Sequence, residues 1–231
     1  MSPLSPEELQ IIGLSLKVAL TATVFSLPPG IALAYLLSRY SFPGKALLSG
    51  LTHLPLILPP VVTGYALLLL FGRSGPLGSW LEPLGIVFAF DWTGAALAAA
   101  VMGFPLLVRA VSLSFDMIDP RIERAAETLG AAPAIRFLTI TLPLALPGIA
   151  AGTVLAFAKA LGEFGATITF VSSIPGETRT LPLAIYSLTQ VPGGEAAALR
   201  LVLISVAVSI GALLVSEWVA RRAARRVGRT V

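Results

Sequence analysis

Apolar residues in this chain run in long blocks, with the charges pushed to their ends. Residues 18–38 are free of charge between Lys17 and Arg39, 46–72 between Lys45 and Arg73, and 92–108 between Asp91 and Arg109. Two further blocks cover 137–158, between Arg136 and Lys159, and 201–216, between Arg200 and Glu217. A helix needs about 20 apolar residues to cross the hydrocarbon layer, so each block predicts a membrane-spanning helix. With flanks, the predicted spans are approximately 10–38, 46–72, 91–109, 144–172 and 199–220. The alternating ten-residue segments of a membrane β-barrel do not occur. The expected fold is therefore an all-α integral membrane protein, a single domain over 1–231 with five helices. The segment 173–198 is periplasmic or re-entrant; a short helix is expected near 180–190, and the count becomes six if it dips into the bilayer and returns.

Composition agrees. Only 12% of the 231 residues are charged, against about a quarter in soluble domains, which excludes a soluble globule and a disordered chain. Cysteine is absent and His53 is the single histidine, so disulfides, a cysteine nucleophile and a histidine-based zinc centre are excluded. Eleven of the sixteen basic residues fall on one side if the N-terminus is outside: Arg39, Lys45, Arg109, Arg121, Arg124, Arg136, Arg221, Arg222, Arg225, Arg226 and Arg229. Only Arg73, Arg179 and Arg200 fall on the other. The positive-inside bias predicts N-out, C-in. Met1–Gln10 carries Glu7 and Glu8 and no basic run, so it is read as a short interfacial helix rather than a secretory signal.

The polar residues are concentrated between the third and fourth spans, where four acidic and four basic residues occupy 109–136. Within this loop, taken as 116–143, Asp119 is a good N-cap, Pro120 suits the first helical position and Gly130 suits the residue past the end. Ile122, Ala125, Ala126 and Leu129 share one face at helical spacing. A second short helix is expected from about Pro133 to Thr139, before Pro143. A lipid-bound helix usually has a basic polar face. Balanced charges around a small apolar face instead suit docking into a groove on a soluble protein.

The stretch Ala125-Ala126, three residues, Gly130, nine residues, Ile140-x-Leu142-Pro143 resembles the E-A-A loop of ATP-binding-cassette importer permeases. One position departs: the family's glutamate is Arg124 here, with Glu123 one residue earlier. The resemblance implies that Glu123, Arg124, Ala125, Ala126, Glu127, Gly130, Ile140, Leu142 and Pro143 form the loop that couples the chain to an ATPase. Leu161-Gly162-Glu163-Phe164-Gly165 through Pro182, and His53-Leu54-Pro55-Leu56-Ile57-Leu58-Pro59-Pro60, are similar to molybdate permeases of that family. The G-E-F-G element is shared with sulfate and thiosulfate permeases, so it marks oxyanion importers generally. The resemblance further implies a homodimer in the inner membrane, two ATPase subunits that bind ATP and magnesium, and a periplasmic oxyanion-binding protein. No nucleic acid is implied.

The chain itself has no phosphate-binding loop: its Gly44-Lys45 pair is followed by Ala46, and Arg39 stands where the first glycine is needed. No cofactor is expected in it, and it is not expected to be an enzyme. Pro55, Pro59 and Pro60 should bend or unwind the second span, and Pro28 and Pro29 should do likewise in the first. Ridges of small residues, Ala95/Ala99/Gly103 and Gly148/Gly152/Ala156/Ala160, suit close packing within the chain. Lys17 and Lys159 are expected to snorkel to the outer interface, and Glu163, flanked by glycines, to serve as a structural or gate hydrogen-bonding group. A dianion in transit calls for weak neutral donors, which gives Pro59, Pro60, Thr63, Glu163, Thr167, Thr169, Ser172, Ser173 and Arg179 as pathway and gate candidates. Tungstate, sulfate or thiosulfate are alternative cargoes. A stand-alone carrier or membrane enzyme would want clustered buried acids or histidines, which the spans lack.

Overall fold

The computed structural model describes residues 4–227. Arg229 and the side chains of Arg221, Arg222, Arg225 and Arg226 lie outside the described residues. Every regular element among those described is helical. Four helices are long and apolar enough to cross a membrane: Pro6–Arg39 (α1), Trp92–Asp116 (α5), Pro133–Leu161 and Glu195–Val215, the last within Glu195–Val227 (α11). Lys45–Ile57 (α2) and Pro60–Phe71 (α3) make a fifth if the bent pair is one span. Gly78–Leu81 (α4), Pro120–Thr128 (α6), Pro133–Arg136 (α7), Leu142–Leu161 (α8), Gly165–Val171 (α9) and Leu181–Thr189 (α10) are the other α-helices, with a 3-10 turn at Glu82–Leu84 and a π-turn at Phe137–Thr141.

Helix α1 begins with reciprocal capping. Ser5 Oγ accepts the Glu8 N–H at 3.2 Å, and Glu8 Oε2 accepts the Ser5 N–H at 2.7 Å, satisfying two donors that the first turn leaves free. The helix then runs unbroken to Arg39. From Pro6 onward, the segment expected as a short interfacial helix is the first part of α1. Pro28 and Pro29 also fall inside α1 without ending it. The turn that follows them is clamped, since a Cβ on Gly30 would lie 2.7 Å from Leu107 Cδ2.

The expected second span is bent by 114° between α2 and α3. A proline disfavours helical backbone in the residue before it. Leu58, before Pro59, is extended (φ −70°, ψ 145°), and Pro59, before Pro60, likewise (φ −53°, ψ 133°). Pro55, with no second proline behind it, stays inside α2.

The expected fourth span, 144–172, is also two helices. α8 closes at Gly162 and α9 starts afresh at Gly165. At its other end the helix extends further than expected, because Pro133–Arg136 does not stop before Pro143. Residues Phe137–Thr141 form a π-helical turn that runs straight into α8, with the Leu142 N–H bonded to the Phe137 carbonyl. Pro143 has no N–H for the preceding turn, and its ring crowds the carbonyl four residues back. The wider turn accommodates this.

α5 lies at the centre, between α1 and α8. Lipid offers no hydrophobic drive for helix association, so close contact of small residues supplies the packing. A Cβ on Gly103 would stand 3.1 Å from the Ala156 carbonyl, and Gly148 leaves no room for one against Ser114. The two small-residue ridges thus meet each other within the chain. Ala95, Ala98 and Ala99 of α5 are buried as well. Lys17 lies with its Nζ 3.4 Å from the Trp92 ring centroid, a cation–π contact. His53 Nδ1 is 2.7 Å from the Ser49 carbonyl one turn away.

Candidate functional site

The loop between α5 and α8 is built by local rules. Asp119 accepts the Arg121 N–H at 2.9 Å, and Pro120 opens α6. At its far end the Gly130 N–H bonds the Glu127 carbonyl at 2.9 Å and the Ala131 N–H bonds the Ala126 carbonyl at 3.0 Å. This paired closure requires a left-handed residue, and Gly130 has φ +83°. Glu127 then bridges the turn to Arg136 at 2.9 Å, so α6 and α7 are braced against each other.

The predicted apolar face of α6 is divided. Ala126 is buried, whereas Ile122 is 45% and Leu129 88% exposed. Ala125 is exposed as well. Met117, Ile135 and Leu138 extend this uncovered apolar surface over the loop and onto the next helix. Ile140 and Leu142 are half-buried beneath it.

Arg124, at the family's glutamate position, is exposed and donates from Nε to the Pro120 carbonyl at 3.4 Å. The carboxylate that enters a network is Glu123. Its Oε1 accepts from Arg39 Nη2 at 3.2 Å and from Thr141 Oγ1 at 2.7 Å. Nearby, Tyr35 packs edge-on against Phe115 and Phe137, with centroids 5.4 and 4.8 Å apart, and Ser38 donates to Asp116. α1, α5 and the π-turn are thereby gathered around the loop. Arg39, Arg136 and Thr141 join this network without belonging to the loop's motif. Nothing in their local spacing connects residues 84 positions apart, as Arg39 and Glu123 are.

A second group lies beyond the other end of α8, about 30 Å away at 1.5 Å per residue. Here the two breaks meet. A Cβ on Gly165 would lie 2.7 Å from Pro60 Cβ, and one on Gly64 would lie 2.8 Å from Ala166 Cα. Thr63 and Thr167 are buried at this junction's flanks, and the Thr63 hydroxyl has no protein partner.

Glu163, expected to have little shelter, is only 3% exposed. Its Oε1 accepts the Ala166 N–H at 3.0 Å and its Oε2 meets Lys159 Nζ at 2.5 Å. Lys159 therefore does not snorkel alone. Thr169 donates to the Gly165 carbonyl at 3.0 Å, and the Ser173 and Ser187 hydroxyls are 3.1 Å apart. Ser172 is exposed with φ +63°. The following turn is pinned by the buried Thr178 hydroxyl, which accepts the Ile174 N–H at 2.9 Å. Arg179 stands elsewhere, 3.5 Å from Glu7, in a cleft of about 380 Å³ shared with Gln10, Ile11 and Gly176.

Residues 26–226 match the family described as the binding-protein-dependent transport system inner membrane component. The chain belongs to that family. It is 60% identical over 227 residues to the molybdenum transport system permease protein ModB of Escherichia coli (strain K12), covering 98% of this chain and 99% of that one. The corresponding Haemophilus influenzae protein is 52% identical, over 96% of this chain and 97% of that one. The sulfate transport system permease protein CysT of Escherichia coli is 37% identical, over 79% of this chain and 66% of its own length. Among solved structures, a bacterial transporter importing the acidic polysaccharide alginate superposes with a TM-score of 0.75 at 18% identity, over 95% of this chain and 80% of that one. The MetNI methionine transporter, in inward-facing form, gives 0.71 at 15% identity, over 97% of this chain and 99% of that one. These structural likenesses speak for the fold alone.

Proposed function

We propose that this chain is the membrane-spanning permease of an ATP-driven molybdate importer. It works as a homodimer oriented N-out and C-in, and it alternates its cavity between the two faces of the membrane. ATP and magnesium are bound by two separate ATPase subunits, and the cargo is delivered by a periplasmic oxyanion-binding protein. The observation that carries the coupling role is the loop: two short helices whose apolar side chains Ile122, Leu129, Ile135 and Leu138 are uncovered while Glu123 ties the loop back to the spans. Such a surface suits the groove of a soluble partner. Similarity along nearly the whole chain to molybdenum permeases of two organisms supports the cargo.

In this reading, the junction of α3 and α9 lines the path of the anion, where Pro59, Pro60, Thr63 and Thr167 surround two interrupted helices. Breaks of this kind persist in membranes where protein or a water-filled cavity satisfies the freed backbone. Glu163 holds α9 in place there. Thr169, Ser172 and Ser173 lie along and just beyond α9, and Arg179 at the outer cleft. A permanent cationic site would trap a dianion, so selection falls mainly to the binding protein. The second copy covers part of the apolar surface along α2 and α3, where Leu51, Ile57, Val61 and Tyr65 are exposed.

The test is uptake by vesicles containing the permease and its ATPase, with the binding protein outside. ATP-dependent accumulation of molybdate, displaced by tungstate and far less by sulfate, is expected. Accumulation of sulfate in preference to molybdate would overturn the cargo, and uptake without the ATPase would overturn the mechanism.

A further inference from the structure

The carboxylate of Glu123 has partners on two different spans, and both meet the same oxygen. Arg39 is the last residue of α1, and Thr141 is the last residue of the π-turn that opens α8. Oε1 receives Nη2 of the first at 3.2 Å and Oγ1 of the second at 2.7 Å. The contact is largely out of water: the Arg39 and Glu123 side chains are 15% and 16% exposed, and Thr141 is 1% exposed. Solvent screening, which makes most surface ion pairs weak, is therefore reduced here. Loss of either charge leaves the other poorly compensated. The loop's other ion pair, Arg136 to Glu127, stays within the loop, with Glu127 66% exposed. Glu123 instead ties the loop to two spans, to α1 through Arg39 and to the start of α8 through Thr141.

The position of Thr141 adds a second element. A π-turn holds one residue more than an α-turn, and such turns concentrate at functional sites. The Thr141 hydroxyl is bonded to the loop at the residue where the extra backbone is absorbed. A shift of α6 that moves Glu123 thus acts directly on the register of this turn.

We propose that Arg39 and Thr141 are positioning residues for transport, which through Glu123 make α6 displace α1 and α8 together. This rests on the coupling role given under the proposed function. The ion pair carries the displacement to α1, and the hydroxyl carries it to the π-turn of α8. Without them the loop still binds its ATPase, because the exposed apolar surface of Ile122, Leu129, Ile135 and Leu138 is untouched.

The experiment uses vesicles containing the full complex, reading molybdate uptake and ATP hydrolysis together. Arg39→Gln, Glu123→Gln and Thr141→Val are each expected to lower the anion moved per ATP about tenfold. The ATPase should co-purify with each at wild-type stoichiometry. Thr141→Ser, which keeps the hydroxyl, should retain the wild-type ratio, and the reversed pair Arg39→Glu with Glu123→Arg should recover most of what either single change loses. Folding of each variant is checked by the amount of assembled complex. Wild-type ratios in all three single variants, or a reversed pair no better than its components, would overturn the proposal alone. A wild-type complex whose hydrolysis drives no uptake would overturn the coupling role itself, and this proposal with it.

Discussion

Lys159 Nζ lies 2.5 Å from Glu163 Oε2, while the other oxygen of that carboxylate accepts the Ala166 N–H at 3.0 Å. One side chain therefore compensates a lysine at the end of α8 and caps the start of α9. Glu163→Ala should cost about 3 kcal/mol, since it strands the lysine and leaves a buried donor unmade. Glu163→Gln, which keeps an acceptor for Ala166, should cost about half as much. Thermal unfolding of the purified protein in detergent reads both, and an unchanged midpoint for Glu163→Ala would rule out the capping role.

Two glycines of the second segment differ sharply in surroundings. A Cβ on Gly50 meets nothing within 4 Å, whereas one on Gly64 runs into the backbone of Ala166. Gly50→Ala should be neutral or stabilising by up to about 1 kcal/mol, the helix-propensity difference. Gly64→Ala should destabilise by about 2 kcal/mol through overpacking. Equal midpoints for the two variants would mean that α3 and α9 are not in contact.

Gly130 is held by conformation alone, since its φ is +83° and no atom lies near its missing Cβ. Gly130→Asn, a residue that tolerates left-handed backbone, should preserve uptake. Gly130→Val should lower uptake several-fold with the chain still inserted, because the closure at Ala126 and Glu127 is lost. Comparison of ATP-driven uptake at matched membrane amounts decides it, and equal uptake would sink the conformational requirement.

The bend between α2 and α3 rests on two adjacent prolines. Pro59→Ala with Pro60→Ala should allow one continuous helix and abolish uptake. The natural chain has no cysteine, so spin labels at introduced cysteines Ser49→Cys and Leu69→Cys report only the intended pair. In the double variant they should stand about 30 Å apart, the length of twenty helical residues, and closer in the native bend. An unchanged distance would mean that packing by α9, not proline, makes the bend.

What could be read from residues alone follows the range of the forces involved. The caps of α6 were legible because Asp119, Pro120 and Gly130 act on backbone within four residues of themselves. The break at Leu58 and Pro59 was legible for the same reason. The end of α8 was not, since Gly162 and Gly165 bracket Glu163 inside an otherwise apolar run that reads as one long span. Lys159 and Glu163 stand four residues apart, a spacing that could have paired them, but their membrane setting drew attention to each charge singly. The partners of Glu123 were beyond reach: Arg39 lies 84 residues away and Thr141 18 residues away, and only the packing of α1 against α5 and α8 brings them together.

The continuity of the helix from Pro133 to Leu161 has a mechanical consequence. The second half of the loop after α5 and the fourth span are one helix of 29 residues, about 40 Å long. The π-turn at Phe137–Thr141 lies inside this continuous helix, between the loop and the part that borders the interrupted helices. A tilt of about 10° at the gripped end of a rod of this length swings the far end by about 7 Å. That end carries Lys159 and, through it, Glu163 and the first turn of α9. Under the proposed coupling role, a modest rotation imposed at the loop is thus magnified at the far end of α8, with the Glu123–Thr141 bond as one of its points of attachment.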